Sequence, residues 1–128
     1  MEHDEARADQ PQTGALFEIL DRDDPGREGA LWSAISPQLN MNLVRFQAGH
    51  GVAEHVNTEV DVLLIGVRGE GSVFIDRAEV PCRSGTVVLI PRGSRRTITA
   101  GSSGFAYVTV HQRRAGLMPR RATSTATQ

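Results

Sequence analysis

The chain has 128 residues, of which 39% are hydrophobic and 23% are charged, and this length and composition suit one globular domain with a single core. A formal net charge of -1 argues against the broad basic surface that nucleic-acid binding requires. All 14 basic residues are arginine and none is lysine, which excludes lysine Schiff bases and lysine general bases. We therefore expect a small molecule or another protein as the partner, and no nucleic acid.

The two ends of the chain are polar and lack apolar periodicity. We predict a disordered tail at residues 1–13 and a mostly disordered tail at residues 113–128, with one folded domain over residues 14–112. The N-terminal segment lacks the apolar core of a secretion signal, and no apolar run reaches the roughly 18 residues that a membrane span needs. A soluble, cytoplasmic protein that does not bind membranes is expected.

Between the tails, short β-prone runs alternate with Gly, Pro, Asn and Asp, which is the pattern of an all-β sandwich or barrel. Pro25 and Gly26 suit the centre of a tight turn. The run Gly69-Glu70-Gly71 predicts a tight hairpin between two apolar strands. Strands are predicted near residues 15–20, 29–35, 40–47, 52–56, 61–67, 71–76, 79–83, 86–90, 95–100 and 104–112.

Two glycine-rich stretches, Gly49–Gly69 and Gly85–Arg96, have a regular spacing. In the first, Gly49 is followed after five residues by His55 and ends at Gly69; in the second, Gly85 is followed after five residues by Pro91 and then Gly93. This order resembles the two signature motifs of the cupin superfamily, GxxxxxHxH…E…G and GxxxxxPxGxxH. The resemblance covers residues 40–112 and implies a double-stranded β-helix, also called a jelly-roll barrel.

The resemblance also implies a site for a divalent transition metal, normally three histidines and a carboxylate. His55 matches the first histidine, whereas Asn57 stands at the second and Arg96 at the histidine of the second motif. The glutamate position falls on Val62 when counted from Gly69, or on Asp61 by the shorter gap. A fixed positive charge at a ligand position repels a divalent cation. We therefore expect no metal cofactor; the alternative is one divalent metal held by His55 and a non-standard ligand set.

Two strand registers are open around this motif. If the strand restarts after Asn57, Val60 and Val62 line the interior and Asp61 points outward; the count from Gly69 favours this register. If the strand is continuous, His55, Asn57, Glu59 and Asp61 share the inner face. A slip of one residue moves every side chain to the other face.

The candidate ligand pocket includes seven residues, and the sequence gives little support to nucleophilic catalysis. His111 joins it because the last strand alternates so that this histidine faces either the cavity or solvent. No nucleophile elbow of the form GxSxG occurs. A histidine beside a carboxylate inside an apolar barrel suits proton transfer. The candidate pocket residues are His55, Asn57, Glu59, Asp61, Val62, Arg96 and His111.

Three functions remain open at this point. The first is a cupin that binds a small, anionic organic ligand, with or without metal-free acid/base chemistry of an isomerase or cyclase kind. The second is a metal-dependent dioxygenase or isomerase, and the third is a non-catalytic dimeric scaffold; a fold alone does not choose among them. A homodimer is expected because the run Val62–Val67 is apolar on both faces.

Overall fold

The structure is a computed structural model that describes residues 10–113. Within that range the chain forms one short helix, α1, and seven strands, β1 to β7. Their bounds are α1 Leu16–Arg22, β1 Gly29–Ile35, β2 Leu39–Phe46, β3 Gly51–Val56, β4 Val62–Ile75, β5 Ala78–Arg83, β6 Val87–Ile90 and β7 Arg95–Gln112. The all-β prediction is therefore confirmed.

Two long strands, β4 and β7, connect two facing sheets. The first half of β7 pairs with β3 and with the second half of β4, and its second half pairs with β2 and the first half of β4. β1 extends one sheet beside β2, β6 extends it beside β4, and β5 extends the other beside the far half of β4. All of these pairs are antiparallel.

The space between the sheets holds the main core, and a second apolar cluster lies outside it. The second cluster packs under α1 and includes Leu43, Val67 and Val108. Cys82 lies in the main core with 3% exposure, and burial raises the pKa of its thiol. The main core consists of Val44, Val52, Val62, Leu64, Val73, Cys82, Val88, Ile90, Ile98, Ala100, Phe105 and Tyr107.

The strand predicted over residues 15–20 is wrong, because this segment forms α1. Its apolar residues Leu16, Ile19 and Leu20 have the i, i+3, i+4 spacing of a helix face, and that face packs on the outer cluster. Phe17 lies outside that face with 55% exposure, where the Arg68 guanidinium lies 5.3 Å from the centre of its ring. The segment has only seven residues, which is too short for helical periodicity to stand out in the sequence.

The hairpin predicted at Gly69-Glu70-Gly71 is also wrong. β4 continues through these residues, and the turn instead falls at Asp76 and Arg77, with φ of 49° and 76°. β7 likewise continues through residues 101–103, where the sequence predicted a break between two strands. Gly71 is needed for close packing instead: a Cβ there would lie 2.6 Å from the Thr99 carbonyl oxygen. The glycines therefore allow β4 and β7 to approach each other at a register shift.

Part of the outer surface is apolar and uncovered. On β6, Val87 and Leu89 are each 60% exposed, and they lie opposite Ile65 and Leu63 of β4. We call these four residues the outer β4–β6 face. The residue Val67, further along β4, is covered by α1 instead.

The predicted tails lie mostly outside the described residues, which begin at 10 and end at 113. Within the first predicted tail, Gln12 bonds to the free edge of β1: its side-chain amide donates to the Ile35 carbonyl at 2.7 Å and accepts from the Ile35 N–H at 3.1 Å. The backbone N–H of Arg113 donates to the Gln38 carbonyl at 2.7 Å. The tails of residues 1–9 and 114–128 stay a prediction.

Candidate functional site

His55 lies directly opposite Arg96 where β3 pairs with β7. Val52 pairs with Ile98 and His55 pairs with Arg96. Between these two pairs, β3 has two residues where β7 has one. This bulge turns His55 to the same face as Val52, which a regular strand would not do. The histidine and the arginine of the two motifs therefore share one face of the barrel wall.

The His55 ring is anchored by its own strand. Nδ1 lies 3.0 Å from the Ala53 carbonyl oxygen. Nε2 is buried and makes no hydrogen bond with any residue that the structure describes. One ring nitrogen is thus fixed by the backbone, and the other is available inside the barrel.

Asn57 connects the two motifs and is 4% exposed. Its backbone carbonyl accepts a hydrogen bond from the N–H of Gly93 at 2.7 Å. Its side-chain Oδ1 accepts from the N–H groups of Glu59 at 2.9 Å and Val60 at 3.2 Å, which ends β3 and turns the chain. Nδ2 is buried and has no hydrogen-bond partner among residues 10–113.

Arg96 is 1% exposed, and its Nε and Nη1 atoms are buried. Its register partners are His55 on one side and Ile75 on the other. A guanidinium stays charged at all ordinary pH values, so the interior carries a permanent positive charge here. Arg96, at the histidine position of the second motif, therefore lies in the interior of the barrel.

Tyr107 completes the group, although it was not among the predicted pocket residues. It is 0% exposed, its ring packs 5.0 Å from that of Phe105, and its hydroxyl makes no hydrogen bond within the described part of the chain. Burial raises the pKa of the hydroxyl, and the positive charge of Arg96 opposes part of that rise. The alternation of side chains between the two faces of β7 could have indicated that Tyr107 faces the interior. We call His55, Asn57, Arg96 and Tyr107 the interior polar cluster.

The register question is settled by burial. Val60, Val62 and Leu64 are 7%, 1% and 0% exposed. Asp61 is exposed, and its Oδ1 accepts a hydrogen bond from the Arg92 N–H at 2.8 Å. The strand restarts, so Val62 is part of the apolar wall and Asp61, predicted as a pocket candidate, lies outside the barrel.

The two remaining candidates lie towards the rim. Glu59 is exposed in the turn that Asn57 caps. His111 is partly buried, pairs with Val62 of β4 and Asn40 of β2, and has Nδ1 3.0 Å from the Gln112 carbonyl oxygen. It shares a strand face with Tyr107, but it does not lie opposite His55 or Arg96 in the register.

The residues at the motif positions do not fit a transition-metal site. Among residues 10–113, no three His, Cys, Asp or Glu side chains are grouped closely enough to hold a metal ion. An apolar valine and a buried guanidinium stand where a carboxylate and an imidazole would be needed.

Two surface concavities lie apart from the interior polar cluster. A cavity of about 590 Å³ opens beside β5, and one of about 210 Å³ lies at the edge of β1 and β2. Neither is lined by a member of the cluster. The first is lined by Glu70, Gly71, Ser72, Pro81, Cys82, Arg83, Thr86 and Gly101, and the second by Gln10, Gln12, Ala34, Ile35, Ser36, Leu39, Met41 and Val110.

The one helix in the described range has seven residues, which is too short to cross a membrane. No family model matches the chain, and no curated protein has significant sequence similarity to it. Solved structures, by contrast, share its fold.

Three of these solved structures show how far the similarity extends. An uncharacterized Klebsiella pneumoniae protein with a double-stranded beta-helix domain has a TM-score of 0.66 and 14% identity, over 80% of this chain and 90% of that one. A cupin protein from Bacteroides fragilis has a TM-score of 0.56 and 20% identity, over 71% and 79%. A cupin-superfamily sugar phosphate isomerase from Silicibacter pomeroyi has a TM-score of 0.55 and 22% identity, over 60% and 52%.

These similarities agree with the strand topology described above. At these identities the similarity concerns the fold and leaves the activity open. The chain therefore has the fold of these cupin structures, a double-stranded β-helix.

Proposed function

We propose that the barrel binds a small organic anion at the interior polar cluster, without a transition metal. The observation that carries this proposal is that Nε2 of His55, Nδ2 of Asn57 and the hydroxyl of Tyr107 are all buried and make no hydrogen bond with a described residue. Buried polar groups are nearly always hydrogen-bonded, and leaving one unsatisfied costs roughly 1–3 kcal/mol. Several such atoms in one interior are best explained by a ligand that completes them.

The charge of the cluster favours an anion. Arg96 brings a permanent positive charge that is 1% exposed, and an anionic group in a low-dielectric interior would interact strongly with it. Asn57 adds a second donor, because its Nδ2 can only donate. A neutral apolar ligand would leave Nδ2 of Asn57 without a hydrogen-bond partner and would gain nothing from the charge of Arg96.

The burial of the cluster limits the size of the ligand. Asn57, Arg96 and Tyr107 are 4%, 1% and 0% exposed, whereas His55 is only partly buried. The ligand would therefore enter past His55 and be small, or side chains around the cluster would move to admit it.

Metal-free acid/base catalysis is a second candidate function. It is favoured by the position of His55, whose free ring nitrogen lies in the interior and can exchange a proton with a bound molecule. A sugar phosphate isomerase shares the fold, and sugar phosphates are anions that carry hydroxyl groups. Small sugar phosphates therefore belong among the compounds to be tested, both as ligands and in an isomerase assay.

Calorimetric titration with small carboxylates and sugar phosphates tests the proposal. We would compare the wild type with Arg96→Met, which removes the charge but keeps much of the volume. The matched control is Arg95→Met, because Arg95 is the preceding residue of β7 and its side chain is 60% exposed. Thermal melts would establish that both variants fold.

We expect at least one anion to bind the wild type and Arg95→Met equally, and to bind Arg96→Met at least about tenfold more weakly. Equal affinity in Arg96→Met would contradict the proposal. Absence of any binding would favour the scaffold function. Elemental analysis completes the test: one equivalent of a transition metal that is lost in His55→Ala would support the metalloenzyme instead.

A further inference from the structure

The orientation of the His55 ring determines which of its nitrogens carries the proton. Nδ1 lies 3.0 Å from the Ala53 carbonyl oxygen, and a carbonyl can only accept a hydrogen bond. Nδ1 therefore carries a proton. In the neutral ring, Nε2 then has a free electron pair, so the buried nitrogen is a hydrogen-bond acceptor.

Asn57 presents the opposite polarity. Its Oδ1 accepts from two backbone N–H groups, those of Glu59 and Val60, and this fixes which end of the amide is which. The buried Nδ2 is therefore a donor, and the guanidinium of Arg96 is also a donor. The Tyr107 hydroxyl can rotate to act as either.

We propose that the ligand is a hydroxy acid, whose anionic group accepts hydrogen bonds from Asn57 and Arg96 while its hydroxyl donates one to Nε2 of His55. This inference rests on the proposed function and specifies the ligand class of the same site. His55 and Arg96 are register partners on one face of the barrel wall. Because the two residues are neighbours, one small molecule that carries both groups on adjacent or nearby carbon atoms would contact both side chains.

Simpler ligands satisfy only part of the cluster. A plain carboxylate would accept a hydrogen bond from Nδ2 of Asn57 and interact with the charge of Arg96, but it would leave Nε2 of His55 buried without a donor. A site built to hydrogen-bond a ligand hydroxyl strongly rejects the analogue that lacks it, because the buried partner is then left unsatisfied. The hydroxyl should therefore increase the affinity by at least about tenfold.

Titration with matched pairs of acids that differ by one hydroxyl tests this proposal. The pairs are glycolate and acetate, lactate and propionate, and malate and succinate. Methoxyacetate is added because it keeps the oxygen of glycolate but cannot donate. The proteins are the wild type, His55→Leu and the control His50→Leu; His50 lies outside the cluster, with Nδ1 2.7 Å from a Glu28 carboxylate oxygen.

In the wild type and in His50→Leu, we expect the hydroxy acid of at least one pair to bind at least about tenfold more tightly than its partner. Methoxyacetate should bind no better than acetate. In His55→Leu the preference should disappear while the affinity for the plain acid stays within about twofold.

The outcomes separate this inference from the proposed function. If both acids of a pair bind equally and require Arg96, the anion site stands and the hydroxy-acid inference fails. If no acid binds, the proposed function fails with it. If His55→Leu does not fold, nitrogen-15 spectra of the wild-type imidazole give a second test: a proton on Nε2 of the neutral ring would overturn the inference.

Discussion

Replacing Tyr107 with Phe removes one buried oxygen and almost nothing else. The hydroxyl is buried and has no hydrogen-bond partner among the described residues, and the ring packs 5.0 Å from Phe105. Since the ring contacts are kept in Tyr107→Phe, the substitution tests the hydroxyl alone. We expect the ligand-free protein to become more stable and the anion to bind less well.

The magnitude follows from the cost of the buried group. Burying a hydroxyl without a hydrogen bond costs roughly 1–3 kcal/mol on protein scales. Losing the packing contacts of the buried oxygen offsets part of the gain from removing it. We therefore expect a gain near the lower end, about 1 kcal/mol, or an increase in Tm of roughly 3–5 °C for a domain of this size.

The assay is urea unfolding of the ligand-free protein, with Ser33→Ala as the matched control. The Ser33 hydroxyl donates to Oδ1 of Asn42 at 2.6 Å, so its removal should cost about 1 kcal/mol. The two variants each lose one hydroxyl, yet their stabilities should change in opposite directions. A loss of about 1 kcal/mol or more in Tyr107→Phe would refute the reasoning, since it would mean that the hydroxyl is already satisfied.

Three further predictions concern the frame around the site. Gly71→Ala should destabilise the fold by about 2 kcal/mol, because a Cβ would lie 2.6 Å from a backbone oxygen; Gly26→Ala, where the nearest atoms are 3.6 Å away, should change the urea midpoint little. If the outer β4–β6 face forms a dimer, Leu89→Glu should sediment as a folded monomer at tens of micromolar, and a monomeric wild type would contradict this. The Gln47 N–H and then His50 hold the pKa of Glu28 below its ordinary value of 4.5, so this carboxylate stabilises the fold above that pH and loses its contribution as the pH falls below it. Wild type and Glu28→Gln should therefore converge in stability on acidification, and a constant difference between neutral pH and pH 3 would argue against it.

The motif spacing predicted the fold because it reflects backbone constraints. Gly85 and Gly93 have φ of 90° and 85°, which residues other than glycine rarely adopt, so their positions in the chain fix where the turns fall. The count from Gly69 also predicted correctly that Asp61 faces outward. The histidine position of the second motif, which Arg96 occupies, is likewise buried.

Other features could not be predicted, because they depend on contacts between distant residues. The bulge that turns His55 inward arises from the pairing of β3 with β7, and nothing local marks it. The turn at Asp76 and Arg77 uses two non-glycine residues at positive φ, whereas turn rules favour the glycines nearby. Tyr107 is eleven residues after Arg96 on β7, and only the folded barrel brings its hydroxyl within range of the Arg96 charge.

The central claim is that the interior polar cluster is a ligand site, and a crystal structure grown with the tightest-binding hydroxy acid tests it most directly. The account predicts density for the acid in the barrel, with its anionic oxygens about 3 Å from Arg96 and Nδ2 of Asn57 and its hydroxyl at Nε2 of His55. Ordered water alone in that space, or a metal ion bound to His55, would contradict it.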